Sequence, residues 1–410
     1  MVAGAREGGS DDSVLGVVPR LVLEPATVTE AAEALAACAR DRLRVVFVGG
    51  GTDLELGYPP TGVDVVLRTT RLARVVEHAP SDQIAVVEAG LTIAELQRRL
   101  APHGQRLALD PPLEDRATIG GVAAANAFGP RRHRFGATRD LVVGMTFVRA
   151  DGVVAKGGGK VVKNVAGFDV PRLLVGSLGT LALIATVTVR LHPLPEADST
   201  VLVPGLGAAD ARAMISSLLS AQLEPTALAA VLEEERLSLA VRFEGFGPGV
   251  AEQRDRLLAV AESLRQSAAP LDDGAGRAFW SRHDAIRSQG DLRTKIAAPP
   301  AALAEVVRSA LQPLVRGVRA GAAVLYPTLG IAFSSGEVTD PSAAGSAVAA
   351  ARAGLSPLGG TLVVTAAPSA VRASVDVWGP PPPSIAVMRR VKDELDPDHR
   401  LGPGRFVGGI

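Results

Sequence analysis

The chain has 410 residues, 47% of them hydrophobic and 21% charged, which is typical of a folded protein with more than one hydrophobic core. Lysine plus arginine equals aspartate plus glutamate at 43 each, so the net charge gives no support for a nucleic-acid or polybasic membrane partner. The single cysteine, Cys38, excludes a disulfide within the chain and an iron–sulfur cluster held by this chain alone, which needs about four thiolates.

The sequence carries no signal that directs the chain into a membrane. No run of about 18 apolar residues occurs, and the N-terminus lacks a cationic stretch followed by an apolar one. We therefore expect a cytoplasmic protein without an intrinsic membrane segment, which reaches a membrane only through partner subunits. Residues 1–14 are rich in Gly, Ser and Asp and predict a disordered tail.

Residues 15–195 contain most of the glycine clusters and form the first predicted domain. Thr27 and Glu30 have the spacing of a capping box, which predicts that a helix begins there. The apolar patterns predict helices at 29–41 and 92–103 and strands at 45–48, 63–67, 84–88 and 181–191. These elements do not alternate as regular βαβ units, so the predicted fold class is α+β.

Residues 196–410 predict a second domain with a duplicated plan. The order β-α-β-β-α occurs between 200 and 266 and again between 292 and 353, and one more strand and helix follow. We interpret this pattern as two ferredoxin-like halves that share one antiparallel sheet.

The first motif that carries chemistry is Gly49-Gly50-Gly51-Thr52-Asp53, which directly follows an apolar strand. Glycine allows positive φ and a close approach of the backbone, and successive N–H groups can then converge on an anion such as a diphosphate. A tight surface turn is the alternative for this motif alone. A second glycine cluster, Gly157-Gly158-Gly159, is followed by Lys160 and Val161. A P-loop would need Ser or Thr in place of Val161, so this cluster predicts a flexible turn.

Two further segments consist largely of small residues. The segment from Thr118 to Asn126 suits backbone packing against a flat or extended ligand, with close helix packing as the alternative. The segment from Gly176 to Leu181 leads into a predicted strand. The loop Gly49–Asp53, by contrast, follows a predicted strand.

Taken in this order, the three segments resemble the PCMH-type FAD-binding domain of the vanillyl-alcohol-oxidase superfamily. Five shorter motifs resemble the FAD-binding subunits of glycolate oxidases: Leu109–Pro112, Gly136–Asp140, Lys163–Asp169, Leu395–Asp398 and Gly402–Arg405. The resemblance covers residues 20–195 well and 196–410 thinly. It implies a two-part FAD-binding domain at 15–195 and a cap domain of the FAD-linked oxidase type at 196–410.

The resemblance also implies which part of FAD each segment contacts. The residues expected beside the diphosphate are Gly49, Gly50, Gly51, Thr52 and Asp53. Those expected beside the ribityl chain and the isoalloxazine edge are Pro111, Thr118, Gly120 and Gly121. Those expected near the adenosine end are Gly179, Thr180 and Ile184, with Asn164, Gly167 and Asp169 shaping the same wall.

The histidines do not stand where many relatives tether their flavin. His78 lies beyond a predicted strand and His133 lies in the basic run from Arg131 to Arg134, so neither is expected to be a tether. The resemblance therefore implies that FAD is bound non-covalently.

The catalytic residues are not identified by these motifs. Relatives that oxidise 2-hydroxy acids carry a His-x-Gly-x-Gly-Asn-x-His-like motif in the cap, which this chain lacks. The cap candidates are Trp280, Arg282, His283, Arg293 and Lys295, with an ordinary surface role as the alternative for each. Arg293 and Lys295 are the cations nominated to hold a carboxylate. Thr294 and Lys295 stand where the family presents a tryptophan and an arginine.

Two functions remain open at this point. The chain is expected to be the FAD-binding subunit of a glycolate oxidase-like complex, with a hydroxy-acid dehydrogenase flavoprotein and an iron–sulfur subunit as partners. The alternative is a stand-alone FAD-dependent oxidase or dehydrogenase of a small 2-hydroxy acid or alcohol. The missing histidine motif favours the complex, because oxidation of an alcohol needs a base and a clamp for the substrate.

Overall fold

The computed structural model describes residues 4–160 and 168–410, which form two compact units. Unit 1 takes the chain up to Gly129, then Gly136–Leu194 and Pro380–Ile410, and unit 2 takes Pro130–Phe135 and Pro195–Gly379. The chain passes from unit 1 to unit 2 at the proline-containing segment near residue 195. Residues 380–410 differ from the expected division, because they belong to unit 1 and not to the second domain.

The chain up to residue 193 contains eleven short or medium strands and six α-helices within its described residues. They are β1 (Arg6–Glu7), β2 (Leu21–Leu23), α1 (Val28–Arg40), β3 (Val45–Val48), β4 (Val65–Arg68), β5 (Val75–Ala79), β6 (Ile84–Glu88), α2 (Ile93–Leu100), β7 (Gln105–Arg106), α3 (Ile119–Ala125), α4 (Arg132–Phe135), α5 (Thr138–Leu141), β8 (Val142–Val148), β9 (Val154–Gly158), α6 (Val170–Leu174), β10 (Leu183–Arg190) and β11 (His192–Pro193). All of them except α4 belong to unit 1.

The described residues of unit 1 form two larger sheets and a two-stranded sheet of β7 and β11. The first has the order β1-β2-β4-β3, in which β2, β4 and β3 run parallel, and the second is antiparallel with the order β5-β6-β10-β8-β9. The predicted caps are present, since the Thr27 hydroxyl accepts a hydrogen bond from Glu30 N and the Thr92 hydroxyl accepts one from Glu95 N. The buried face of α1, which includes Cys38, packs in one core with residues of β3 and β4.

The segment that was expected to be a disordered tail is ordered from residue 4 onward. Arg6–Glu7 pairs with β2, and Val14 is fully buried. Asp12 is buried between the guanidinium groups of Arg6 and Arg68, at 2.6 and 2.8 Å. The Gly- and Ser-rich composition predicted disorder, but these ion pairs hold the segment in place. Hydrogen bonds from both cations lower the pKa of Asp12.

Unit 2 continues the numbering, and the last helix returns to unit 1. The elements are β12 (Ala197–Leu206), α7 (Ala208–Ser220), β13 (Ala227–Glu233), β14 (Arg236–Gly245), α8 (Gly247–Ser263), β15 (Ala269–Pro270), α9 (Asp273–Ser288), β16 (Leu292–Ala297), α10 (Leu303–Val306) with a π-helical turn (Val307–Leu311), α11 (Gln312–Arg316), β17 (Arg319–Tyr326), β18 (Ile331–Glu337), α12 (Pro341–Leu355), β19 (Thr361–Ala366), α13 (Ser369–Arg372) and α14 (Ile385–Leu395).

The sheet of unit 2 confirms the predicted duplication. Its eight antiparallel strands have the order β15-β12-β14-β13-β17-β18-β16-β19. From the central pair β13 and β17 outward, each half places its second, third, first and fourth strand in the same sequence, which is the order of a ferredoxin-like sheet. In the described parts of the chain, no helix is long and apolar enough to cross a membrane.

The C-terminal segment joins unit 1 through backbone pairing. Val45 N donates to Arg400 O at 2.8 Å and Gly402 N donates to Val45 O at 2.8 Å, so residues 400–402 lie along β3. Leu401 is fully buried in the core beneath α1. This pairing gives the physical reason for the return, because β3 offers an edge whose polar groups need partners.

Candidate functional site

A cleft in unit 1 consists of two adjoining hollows with empty volumes of about 470 and 370 Å³. We call it the glycine cleft. The residues shared by both hollows are Phe47, Val48, Gly49, Gly121, Ala124 and Leu178. The first hollow adds Gly50, Gly51, Thr52, Asp53, Leu54, Ala125 and Arg405, and the second adds Thr69, Ala89, Gly120, Gly179, Ala182, Leu183 and Ile184.

The loop after β3 forms the first wall of the glycine cleft, and its glycines are required for different reasons. A Cβ on Gly50 would lie 1.7 Å from Arg116 O, and one on Gly49 would lie 2.2 Å from the Thr118 hydroxyl. Gly51 has φ +72° and open space on its Cβ side. The first two glycines therefore let two loops touch, while Gly51 adopts a left-handed backbone that other residues rarely take.

The second wall is α3. Thr118 caps this helix, since its hydroxyl accepts a hydrogen bond from Gly121 N at 3.3 Å. A Cβ on Gly120 would lie 2.5 Å from the Ala89 Cβ, so Gly120 is needed for packing. A Cβ on Gly121 would meet only the Thr118 hydroxyl, at 3.1 Å, so the remaining space beside it belongs to the cleft.

The third wall is the turn before β10. Leu178 and Gly179 both have positive φ, and Leu178 N donates to Ala124 O at 2.9 Å. A Cβ on Gly179 would lie 3.0 Å from the Phe47 ring. This turn is thereby fixed to both α3 and the end of β3, and the three walls predicted from sequence meet at one place.

Most of the predicted cofactor residues line the glycine cleft, and three do not. Pro111 is buried outside its walls, and Thr118 is 2% exposed and acts as the α3 cap. Thr180 is 1% exposed, and its hydroxyl donates to Ser177 O at 2.7 Å. Asn164 and Gly167 lie outside the described residues. Asp169 is exposed and caps α6 by accepting a hydrogen bond from Arg172 N at 3.2 Å.

For Arg405 in the C-terminal segment, the sequence leaves FAD and an acidic neighbour as equal alternatives for its partner. Arg405 lines the glycine cleft, is 3% exposed, and donates through Nη2 to Leu54 O and Leu56 O at 2.7 and 2.9 Å. Leu54 and Leu56 immediately follow the glycine loop, so Arg405 holds the far end of that loop. Its distance of about 350 residues along the chain hides this relation from any local pattern.

A buried ion pair holds the same segment in place. Lys392 Nζ donates to Asp396 Oδ2, Thr180 O and Leu401 O at 2.6, 2.7 and 2.8 Å, and both side chains of the pair are at most 1% exposed. Burial lowers the pKa of Lys392, and the neighbouring Asp396 carboxylate opposes that shift. Because Thr180 follows Gly179, this ammonium ties the third wall of the cleft to the C-terminal segment.

Unit 2 presents a different kind of surface. Strand register places Lys295 opposite Phe333, and the Arg287 guanidinium lies 4.4 Å above the Phe333 ring, so α9 covers the face to which these strands direct Lys295. Arg293 is two residues from Lys295 and shares this face. Thr294 points to the opposite face, where its hydroxyl lies 2.7 Å from that of Ser334. We call the face that carries Arg293, Lys295 and Phe333 the polar face.

A buried histidine lies at the centre of the polar face. His283 on α9 is fully buried, with Nε2 2.9 Å from the Tyr326 hydroxyl and Nδ1 2.9 Å from Asp284 Oδ1. Burial lowers the pKa of His283, while the hydrogen bond to Asp284 raises it, and burial is the larger effect. A neutral imidazole hydrogen-bonded to a phenol can accept a proton.

The other cap candidates take part in structural contacts of the same face. Trp280 Nε1 donates to the Thr200 hydroxyl at 3.1 Å, and Arg282 forms an exposed ion pair with Glu233. Arg293 donates to Ser288 O at 3.3 Å. Within residues 4–160 and 168–410, no group of three or more His, Cys, Asp or Glu side chains is placed to hold a metal ion.

Parts of this chain are similar to known proteins. A family model described as an FAD-binding domain matches residues 19–158, which include the first two walls of the glycine cleft. Glycolate oxidase subunit GlcD of Bacillus subtilis is 33% identical over 211 residues, which is 52% of this chain and 45% of that protein. Glycolate oxidase subunit GlcE of Escherichia coli is 33% identical over 159 residues, which is 38% of this chain and 45% of that protein.

The matched regions cover less than half the length of each of these two relatives. Among solved structures, p-cresol methylhydroxylase with substrate bound superimposes with a TM-score of 0.75 over 95% of this chain and 89% of that one, at 13% sequence identity. This likeness shows the fold of the chain.

Proposed function

We propose that this chain is a member of the superfamily of the PCMH-type FAD-binding domain and the FAD-binding subunit of a glycolate oxidase-like oxidoreductase complex that acts on a 2-hydroxy acid. The observation that carries the proposal is the glycine cleft, whose walls bring together three separate glycine segments. Such a cleft suits an extended dinucleotide, because main-chain N–H groups can approach its phosphates closely.

The open space in the cleft supports the assignment of FAD. The open space beside Gly51 and Gly121 leaves room for a ligand where any larger side chain would protrude. We assign the diphosphate to the loop Gly49–Asp53, the ribityl chain and the flavin edge to Gly120 and Gly121, and the adenosine end to Gly179 and Ile184. Pro111, Thr118 and Thr180 shape these walls from behind in this assignment.

We further propose that FAD is bound non-covalently. A covalent link to the flavin needs a nucleophilic side chain beside it. None of the described residues that line the glycine cleft is His, Cys or Tyr. His78 lies on β5 with Nε2 2.8 Å from Gln105 Oε1, and His133 lies in unit 2 with Nδ1 2.8 Å from the Thr328 hydroxyl.

The proposed partners are a hydroxy-acid dehydrogenase flavoprotein and an iron–sulfur subunit. Bound FAD would accept a hydride and pass electrons onward, and onward transfer one electron at a time needs a suitable acceptor. This chain has one cysteine, which is 2% exposed in the core beneath α1, so a cluster would come from another subunit. The similarity to both GlcD and GlcE supports membership of such a complex.

One observation favours a second candidate, a stand-alone oxidase of a small 2-hydroxy acid. The polar face of unit 2 directs Arg293 and Lys295 to the side on which His283 contacts Tyr326. In this candidate the two cations hold the carboxylate of the substrate.

The test is flavin reduction by the isolated chain. The purified protein should be yellow, and acid precipitation should release its FAD into solution. Anaerobic glycolate or D-lactate should bleach the flavin slowly or not at all, and addition of the two partner subunits should restore reduction. Positioning of substrate and base is worth ~7–11 kcal/mol of barrier, so an incomplete site is readily distinguished.

Two results would overturn parts of this proposal. Flavin that stays with the acid precipitate would contradict non-covalent binding. Rapid stoichiometric bleaching by glycolate, lost in Lys295→Met or Arg293→Met with FAD occupancy unchanged, would replace the subunit proposal by the stand-alone oxidase.

A further inference from the structure

The C-terminal segment brings a buried cation to the glycine cleft. Arg405 lies in the wall of the first hollow together with the loop Gly49–Asp53, and only 3% of its surface is exposed. Its carbonyl oxygen accepts a hydrogen bond from Tyr58 N at 3.0 Å, and Pro403 O accepts one from Thr61 N at 2.9 Å. The backbone around Arg405 is therefore fixed to the chain that follows the glycine loop.

The charges of the cleft make this position notable. Asp53 and Arg405 are the two ionisable side chains among the described residues that line either hollow. The diphosphate of FAD is anionic, and the assigned diphosphate loop supplies backbone dipoles together with one carboxylate. A buried guanidinium beside that loop supplies the formal positive charge, in a planar geometry that suits phosphate oxygens.

We propose that Arg405 binds the diphosphate of FAD directly. The cofactor site of unit 1 is then completed by a segment that follows unit 2 in the sequence. The hydrogen bonds from Nη2 to Leu54 O and Leu56 O fix the plane of the guanidinium in the wall of the first hollow. Lys392 and Asp396 act as positioning residues, because their buried pair fastens the segment to the wall that contains Gly179. This inference rests on FAD binding in the glycine cleft and is independent of the substrate oxidised.

The structure also provides a matched control on the same segment. Arg400 is likewise 3% exposed and likewise donates to two carbonyls, Leu43 O and Ala150 O at 3.2 and 2.6 Å. It lines neither hollow of the glycine cleft. Loss of Arg400 therefore reports the structural cost of removing a buried arginine from this segment without a change at the proposed diphosphate site.

The experiment measures ligand binding by the full-length apoprotein. Variants Arg405→Gln, Arg405→Lys and Arg400→Gln are prepared, and FAD affinity is followed by quenching of flavin fluorescence. ADP and riboflavin are then used separately to displace FAD, because ADP carries the diphosphate and riboflavin lacks it. The affinity of each variant for FAD is also measured between about 0.05 and 0.5 M salt, where screening of charges increases.

We expect Arg405→Gln to weaken FAD and ADP by roughly 10- to 100-fold, as for loss of a charged hydrogen bond, with riboflavin changed less than about threefold. Arg405→Lys should recover most of the FAD affinity. Arg400→Gln should lower the melting temperature and leave the ratio of FAD to riboflavin affinity unchanged. If ADP and riboflavin displace FAD too weakly to measure, the salt dependence of FAD affinity decides between the outcomes. This dependence should be smaller in Arg405→Gln than in the parent protein.

Equal weakening of FAD and riboflavin in Arg405→Gln, or an unchanged salt dependence, would show that Arg405 only holds the loop and would overturn the inference. Failure of the parent apoprotein to bind FAD would instead reject the proposed cofactor. These two failures are distinguishable, since the first leaves FAD binding by the parent protein intact.

Discussion

The two units build their candidate surfaces from different materials. Half of the described residues that line the glycine cleft of unit 1 are glycine or alanine, and its ionisable side chains are Asp53 and Arg405. The polar face of unit 2 is made of side chains from α9 and several strands, including His283, Tyr326 and Lys295. The first surface is suited to holding a large ligand, and the second is joined to α9 by contacts between side chains.

This difference follows from what each surface requires of the sequence. A backbone-lined cleft restricts its residue types by steric exclusion, so any Cβ at Gly50 or Gly120 would meet neighbouring atoms at 2.5 Å or less. A side-chain surface restricts residue types only at the atoms that touch the ligand. Unit 1 is therefore expected to tolerate few changes in its loops, and unit 2 to tolerate many outside its central polar residues.

The largest expected effect tests whether the charged residues of unit 1 serve its fold. Lys392→Met leaves Asp396 buried without its cation, and breaking a buried pair in this way costs about 3–5 kcal/mol of unfolding free energy. The same change should loosen the wall that contains Thr180. Urea denaturation followed by circular dichroism measures the loss.

The double variant Lys392→Met/Asp396→Asn is the control for that experiment. Asparagine removes the buried charge and keeps an oxygen that can accept the hydrogen bond from Leu401 N. It should recover part of the lost stability. A loss of unfolding free energy below about 1 kcal/mol in Lys392→Met would mean that the pair behaves like an exposed one. The charged residues of unit 1 would then not serve its fold.

The sequence predicted the local chemistry of unit 1 and missed its long-range assembly. Thr27 and Thr92 cap their helices as their spacing indicated, and the loop Gly49–Asp53 follows β3 as expected. The return of residues 380–410 to unit 1 was not predicted, because the contacts of Leu401 with β3 and of Arg405 with Leu54 join positions about 350 residues apart. No periodic pattern records such a contact.

Unit 2 shows the complementary result. Its duplicated strand order was predicted, since each strand has its own apolar alternation. Helix α9 was missed although it carries His283, because Gly274 and Gly276 weaken its helical pattern. Arg293 and Lys295 share one face by strand alternation, but the sequence alone does not indicate that α9 covers that face.

The next effect in size compares two glycines of the glycine cleft. Gly121→Val should weaken FAD binding by roughly 10- to 100-fold with the fold preserved, because the added groups occupy cleft space and overpacking costs ~1–3 kcal/mol. Gly50→Val should instead reduce the yield of folded protein, since its Cβ would collide with Arg116 O. Gly249→Val, at a position with open space in unit 2, is the control.

Flavin occupancy and melting temperature, measured on the same samples, separate these outcomes. Full occupancy in Gly121→Val would show that α3 does not face the cofactor. A well-folded Gly50→Val protein with normal occupancy would show that the loop can move away from Arg116, and backbone contact would then no longer explain the glycine motif.

The smallest effect concerns acid stability and a histidine of unit 1 that lies outside the glycine cleft. Burial, and then the neighbouring cations Arg190 and Arg106, lower the pKa of His192 from 6.5 to about 4. Between these values the unfolded chain binds a proton that the folded chain does not bind, so folding stability falls as pH falls from 6.5 toward about 4. The contribution is fully present above pH 6.5. Because His192 is only partly buried, solvent limits it to about 1–2 kcal/mol.

His192→Gln should therefore reduce the difference in unfolding free energy between pH 7 and pH 4, as measured by urea denaturation at each pH. Arg190→Gln should give an intermediate profile, since burial, the larger cause, remains while one repelling cation is removed. An identical profile for the parent and His192→Gln would assign the acid sensitivity elsewhere. His283, whose pKa is also lowered by burial, would then be the first residue to test, and the acid-labile part of the molecule would be unit 2.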